Sequence, residues 1–435
     1  MSMLEKRENV RGRCLLVGLA CDSTADFENS DEITMAELAE LVKTAGGETV
    51  MTAMQNKHTP DPHTFIGEGK AAELKELIAA NEIDLTIVDN ELSPSQSRAL
   101  EEALSCRVID RSGLILDIFA DRARTAEGKL QVELAQYQYL LPRLTGMWTH
   151  LVRQTASGGS SPIGTRGPGE TQLETDRRHI RRKIQRLQED IRDLQRVRAT
   201  QRSKREKNEI PLICIVGYTN AGKSTLLNAL TGAEVHAADR LFDTLDPTTR
   251  LLHTQQMGDL LFSDTVGFIR KLPHHLIDAF RSTLEELTYA DVLLHVVDAS
   301  DEQWRLQSQV VEELISQLGA EKTPRILIFN KADRLREDQL PRESGALFCS
   351  ALKGLGLEQL VDRICQVLGE NLHTVDFVLP YAQAQLLDYL YRAANVRRAD
   401  YVETGIHVEA VVDEKVFGRL QEVLPPEQRR KHEEL

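Results

Sequence analysis

Eight residues, Gly217-Tyr218-Thr219-Asn220-Ala221-Gly222-Lys223-Ser224, constrain this chain more than any others. They fit the pattern G-x-x-x-x-G-K-S, and their flanks are those the pattern needs. The apolar run Leu212-Ile213-Cys214-Ile215-Val216 predicts a buried strand before them, and Ser224-Thr225-Leu226-Leu227-Asn228-Ala229-Leu230 predicts a helix opening after them. A strand, glycine loop and helix in that order belong to an α/β sheet. The loop's backbone N–H groups can wrap a phosphate chain, aided by the partial positive charge of the helix N-terminus. Lys223 is expected to reach the outer phosphates and the Ser224 hydroxyl to ligate Mg²⁺. The expected ligand is a nucleoside triphosphate.

The choice of base is written about a hundred residues on. Arg325-Ile326-Leu327-Ile328-Phe329 predicts a strand that ends in Asn330-Lys331-Ala332-Asp333. A carboxylate at Asp333 can accept from the N1–H and 2-amino groups of guanine. Adenine offers neither donor there, so beside ATP the carboxylate would go unpaired, at a cost of roughly 1–3 kcal/mol. The Lys331 stem can lie over the base plane. The loop Cys349-Ser350-Ala351-Leu352-Lys353 suits a backbone N–H that meets the guanine carbonyl. In this order and spacing the motifs point to GTP.

Two further segments fit a γ-phosphate sensor. Asp264-Thr265-Val266-Gly267 follows the predicted strand Leu260-Leu261-Phe262-Ser263; Asp264 is placed to hold Mg²⁺ through a water, and the Gly267 N–H to bond the γ-phosphate. The hydroxyl-rich run Leu241-Phe242-Asp243-Thr244-Leu245-Asp246-Pro247-Thr248-Thr249-Arg250 reads as a loop ordered by ligand. One of its threonines should cap Mg²⁺; Thr244 is the choice, with Thr248 and Thr249 as rivals. After Gly267 stands Phe268, an apolar side chain where a water-orienting glutamine is common, so intrinsic hydrolysis should be slow. Asn220 can help coordinate a K⁺ ion between the phosphates, or can be a turn former chosen for its φ tolerance. Both readings stand.

At 435 residues the chain is too long for one ordinary core. Hydrophobic residues at 41% with 28% charged residues fit a soluble globular protein. No apolar run approaches the ~20 residues that span a bilayer, and the six scattered cysteines suit a reducing cytoplasm. Residues 1–125 alternate strand and helix, which predicts a small parallel α/β domain. Gly67-Glu68-Gly69-Lys70 has the wrong spacing for a second phosphate loop and reads as a turn opening a helix. Residues 126–208 predict an antiparallel helical hairpin: Leu130, Leu134, Tyr137 and Leu141 form one seam, and Ile180, Ile184, Leu187, Ile191 and Leu194 the other. Residues 209–371 form the expected nucleotide-binding domain and 372–435 a small C-terminal α/β domain.

Between the hairpin's helices runs a Gly-, Ser- and Pro-rich stretch from Thr155 to Thr171, too long for a passive connector. Charge gathers around it. From Arg143 to Lys207 there are 16 Lys plus Arg against 7 Asp plus Glu, in a chain whose net charge is −14. A concentrated basic arm on an acidic protein suits docking on RNA phosphates, with Gly158, Gly159, Arg166, Arg177 and Arg178 as the contacts; the alternative is a solvated helix face that keeps the hairpin soluble.

Taken with the stretch Ser157-Gly158-Gly159 to Gly169-Glu170-Thr171, the motifs resemble those of the HflX GTPase family along essentially the whole chain. The resemblance implies a P-loop GTPase domain within a multidomain α/β protein. It implies a monomeric, cytoplasmic enzyme using Mg²⁺ that binds the large ribosomal subunit and its rRNA. It further implies splitting of stalled or idle ribosomes into subunits under stress. Family members are also associated with ATP binding and RNA unwinding, yet residues 1–205 offer no second phosphate loop. The competing reading is a regulatory switch, or an RNA-modification factor, acting on some other partner.

Overall fold

The computed structural model describes residues 12–21, 30–155, 168–207, 210–233, 240–254, 257–273, 276, 284–369 and 372–420. The N-terminal alternation folds as β1 (Arg13–Cys21), α1 (Glu32–Thr44), β2 (Glu48–Lys57), α2 (Glu68–Ala80), β3 (Leu85–Val88), α3 (Pro94–Leu104), β4 (Arg107–Asp110) and α4 (Arg111–Arg122). Its four strands lie parallel in the order β2-β1-β3-β4. All four residues of β3 are buried, as a sheet covered on both faces requires. Ser93 caps α3 by accepting the Gln96 N–H at 3.2 Å, with Pro94 in the first helical position.

The helix α4 was not legible in the sequence. Its residues Leu114, Ile115, Leu116, Ile118 and Phe119 are all buried, and so short an apolar run fits a buried strand as well as a helix.

Two long helices follow, α5 (Ala126–Thr155) and α6 (Pro168–Lys207). They meet along the expected seam: Leu134, Leu187 and Ile191 are buried together, flanked by Leu130, Tyr137 and Ile184. Lys183 of α6 pairs with Glu133 of α5 at 3.1 Å.

The second sheet gathers β5 (Leu212–Gly217), β6 (Thr248–Thr254), β7 (Gly258–Asp264), β8 (Val292–Asp298), β9 (Arg325–Asn330) and β10 (Leu347–Phe348), with α7 (Lys223–Thr231), α8 (Trp304–Gln317) and α9 (Leu357–Gly369). Strand order is β10-β9-β8-β5-β7-β6, parallel except for β6. The run read as loop from 241 to 250 is loop only to Pro247; its last three residues open β6. A final antiparallel sheet, β11 (Leu372–Leu379), β12 (Asn395–Val402) and β13 (Gly405–Asp413) in the order β11-β13-β12, carries α10 (Gln385–Ala393) and α11 (Glu414–Leu420). Strand β12 escaped the sequence reading because it is a polar edge strand, Asn395-Val396-Arg397-Arg398-Ala399-Asp400-Tyr401-Val402.

The first two sheets share one apolar core. Leu38, Leu41, Leu114 and Phe119 from the N-terminal half are in the same buried cluster as Phe242, Leu245, Phe268 and Leu276. Among the described residues no helix is long and apolar enough to cross a membrane.

Candidate functional site

An open cleft of about 420 Å³ lies at the carboxyl end of β5, lined by Thr219, Asn220, Gly222, Lys223, Ser224, Thr225, Arg240, Phe242, Asp243, Thr244, Thr265 and Gly267. Strand β5 delivers the phosphate loop and α7 begins at Lys223, so the loop's amides and the helix N-terminus face the same space. Gly222 has φ +91°, and a Cβ there would overlap the Asn330 side chain. Only glycine suits that position.

Lys223 is buried, and its Nζ donates to the Tyr218 carbonyl at 2.8 Å. Burial lowers its pKa to about 8, opposed by the nearby Asp264 carboxylate. An ammonium so poorly solvated gains by meeting phosphate oxygens. Asp264 is driven the other way: burial raises its pKa, against the pull of Lys223 and the Ser224 hydroxyl.

Three hard oxygens converge beside Lys223. Ser224 Oγ lies 2.5 Å from Asp264 Oδ2 and 2.7 Å from Thr244 Oγ1. Asp264 Oδ1 is buried with no hydrogen-bond partner. Two hydroxyls and a carboxylate with an orphaned oxygen are donors of the kind Mg²⁺ prefers. Of the three candidate threonines, Thr244 is the one at this point; Thr248 and Thr249 lie in β6, where Thr249 Oγ1 donates to Ser263 Oγ at 3.3 Å.

At the base end, the Asn330 amide donates to the Ala221 carbonyl at 2.9 Å and accepts the Ala351 N–H at 3.0 Å. Asn330 therefore ties the phosphate loop to the Ser350 loop. Lys331 bridges the Asn220 carbonyl at 2.8 Å and Asp298 at 2.7 Å. Asp333 is held by Ser350 and by Lys353 at 3.2 Å, which keep its carboxyl below the usual range and hence ionised. Ser350 Oγ accepts the Lys353 N–H at 3.2 Å, and Leu352 is exposed at the rim. Asn220 has φ +63°.

Some expected nucleotide contacts turn elsewhere. Tyr218 gives its carbonyl to Lys223, but its phenol points into the joint with the N-terminal half, donating to Glu37 and accepting the Arg270 N–H at 2.8 Å. Leu245 and Val266 are buried in the shared core or against it, and Asp246 reaches the start of α5. Thr265 braces the sheet by donating to the Ile215 carbonyl at 2.7 Å. Gly217 ends β5. Phe268 is buried in the shared core, so the position after Gly267 presents no polar side chain to a water.

Arg240, which lines the cleft, was missed; a cation directly before the hydroxyl-rich loop was the available signal. Gly158, Gly159 and Arg166 lie outside the described residues. Arg177 and Arg178 lie on α6, with Arg178 exposed and 3.9 Å from Glu174.

Comparisons with known proteins agree with this geometry. Residues 32–120 match the family profile of the GTP-binding GTPase N-terminal region, 122–205 that of the GTP-binding GTPase middle region, and 212–331 that of the 50S ribosome-binding GTPase. The GTPase HflX of Caldanaerobacter subterraneus subsp. tengcongensis is 47% identical over 392 residues, covering 90% of each chain. That of Escherichia coli is 43% identical over 385 residues, covering 87% of this chain and 89% of its own. This chain belongs to the HflX GTPase family. It is accordingly a GTP-hydrolysing enzyme.

Proposed function

We propose that the chain is a Mg²⁺-dependent GTPase of the large ribosomal subunit, coupling GTP binding and hydrolysis to the splitting of stalled or idle ribosomes. The observation that carries this reading is the match of residues 212–331 to the 50S ribosome-binding GTPase profile, joined to a 40-residue helix, α6, rich in arginine. Exposed Arg178 and its neighbours suit an rRNA phosphate surface, where affinity comes from released counterions and falls steeply with salt. The protein is read as a cytoplasmic monomer.

In the site, Asp333 pairs with the guanine edge and Lys223 sits on the β- and γ-phosphates. Ser224 and Thr244, with Asp264 beside them, would hold Mg²⁺, which when bound would supply charge neutralisation at the phosphates. Water attacks the γ-phosphorus in line, and the bond to the GDP oxygen opens as negative charge spreads over the transferred group. Lys223, the loop amides and the Gly267 N–H meet that charge. A K⁺ ion beside Asn220 would add charge compensation; the alternative is that Asn220 is a turn former, in keeping with its φ of +63°.

The test is co-sedimentation with purified 50S subunits and turnover with and without them, in potassium and in sodium. Binding is expected with a non-hydrolysable GTP analogue and not with GDP, and Arg177→Glu with Arg178→Glu should weaken it about tenfold or more. Binding indifferent to nucleotide and to both reversals would discard the ribosomal reading. Equal turnover in the two salts would discard the K⁺ assignment alone.

A further inference from the structure

We infer that the first turn of α5 is a positioning element for the hydrolysis site, acting on Thr244 through Asp246; this rests on the reading of Thr244 as a metal ligand. Asp246 lies two residues beyond Thr244, and its carboxylate is seated on the start of the helical hairpin. The Arg124 and Thr125 N–H groups donate to Asp246 Oδ2 at 2.7 and 2.8 Å, and the Thr125 hydroxyl donates to Oδ1. Thr125 in turn caps α5, its Oγ1 accepting the Gly128 N–H at 2.9 Å. An anion on the N–H groups just before a 30-residue helix is held by hydrogen bonds and by the helix dipole together.

The seat is shaped for that carboxylate. A Cβ on Gly128 would overlap Asp246 Oδ1. Gly128 is inside α5, where alanine is the better helix former, so the helix alone gains nothing from glycine here. The room it leaves is room for Asp246.

The rest of the loop is pinned from the same side. Phe242 meets Phe119 of α4 edge to face with ring centroids 4.8 Å apart, and Leu245 is buried in the shared core. Thr244 stands between these anchors with its hydroxyl 2.7 Å from Ser224 Oγ. A loop that must fold around γ-phosphate and metal loses less conformational freedom on doing so when its flanks are already fixed. The helix that fixes one flank is also the shaft of the basic hairpin. A displacement of that shaft on docking would therefore be delivered to Thr244.

The experiment uses the full chain with Gly128→Ala, Asp246→Ala, the double variant, Thr125→Ala and Thr125→Ser. Single-turnover hydrolysis is measured with the affinities for GDP and for a non-hydrolysable GTP analogue. Gly128→Ala, Asp246→Ala and Thr125→Ala should each slow hydrolysis about tenfold and weaken the analogue while leaving GDP affinity within about twofold. The double variant should be little slower than Asp246→Ala alone, because the added methyl's overlap with the carboxylate is then gone and only its 3.1 Å approach to Thr125 Oγ1 is left. Thr125→Ser should restore the rate. Unchanged hydrolysis in Gly128→Ala and Asp246→Ala, multiplying losses in the double variant, or a parallel fall in GDP affinity overturns the inference. Thr244→Ala separates the two layers: full hydrolysis in that variant overturns the metal-ligand reading itself, whereas its loss with Asp246→Ala still active overturns only the role of α5.

Discussion

At the base end of the cleft the supports come from the nucleotide-binding sheet and its loops: Asn330 on Ala221 and Ala351, Lys331 on Asn220 and Asp298, Asp333 on Ser350 and Lys353. At the phosphate end the same Asn330 and Lys331 hold the loop carbonyls, and further supports come from the N-terminal half. Tyr218 of the phosphate loop donates to Glu37, Lys271 pairs with Asp89 at 2.5 Å, and Asp246 sits on Thr125. On the function proposed above, guanine recognition would rest on the nucleotide-binding sheet, while the loops around Thr244 and Lys271 also lean on the N-terminal half. A chain arranged in this way can change its turnover by moving its N-terminal half without changing which nucleotide it selects.

Arg111 is the place to break that arrangement, and the largest effect is expected there. Its side chain is almost wholly buried and reaches Glu37, Asp89 at 2.8 Å and the Arg270 carbonyl at 3.0 Å. Removing one partner of a buried ionic cluster leaves carboxylates poorly compensated, typically at about 3–5 kcal/mol. Arg111→Ala should lower unfolding free energy by that order in urea titrations and slow hydrolysis. The ratio of GTP to ATP affinity should not move. A fall in that ratio would show that the base end also depends on the N-terminal half.

How much of this was legible beforehand follows the range of the interactions. The phosphate loop and the two halves of the helical seam are each signals carried within one short segment, and the structure lines the cleft with Lys223 and Ser224 and buries Leu134, Leu187 and Ile191 together. Thr244 was separable from Thr248 and Thr249 only once β6 paired with β7 and withdrew the latter two. The side-chain directions of Tyr218, Leu245 and Asp246 were illegible. Their partners Glu37 and Thr125 are 181 and 121 residues away, and nothing local marks such a contact. Helix α4 was hidden for another reason: the short apolar run from Leu114 to Phe119 fits a buried strand as well as a helix.

The base end is sharpened by Asp333→Asn. The amide offers a donor where guanine already presents donors, so GTP and GDP affinity should both fall by about 10- to 100-fold, the 1–3 kcal/mol of an unmet buried pair. Hydrolysis at saturating GTP should stay within about threefold, since Thr244, Ser224 and Lys223 keep their places. Isothermal titration and saturating single-turnover rates distinguish the two quantities. If the saturated rate fell as far as the affinity, the separation of the two ends would be wrong.

Acid provides the mildest way to pull the two regions apart. His295 on β8 is buried, and burial together with the Arg325 charge lowers its pKa to about 4 from an ordinary 6.5, despite Glu312 at 3.2 Å, which Arg325 also engages. An unfolded chain takes up that proton below pH 6.5 and the folded chain does not until about 4. The stability from His295 is therefore whole above 6.5 and drains away as pH falls toward 4, by about 2 kcal/mol at pH 5. Asp89 loses its contribution in the same direction but only at lower pH. Burial would raise its pKa, but Arg111 and Lys271 more than offset this and hold it below the usual 3.8, so its contribution survives until the pH passes beneath that value. Between pH 6.5 and 4 the nucleotide-binding sheet should weaken while the joint to the N-terminal half holds. Trp304, edge to face on Phe329 at 4.9 Å, reports on that sheet when Trp148 is replaced by Phe. Urea titrations followed by its fluorescence should lose about 2 kcal/mol from pH 7 to pH 5, and His295→Leu should remove that dependence. The same slope in both proteins would mean that His295 is not the group that titrates.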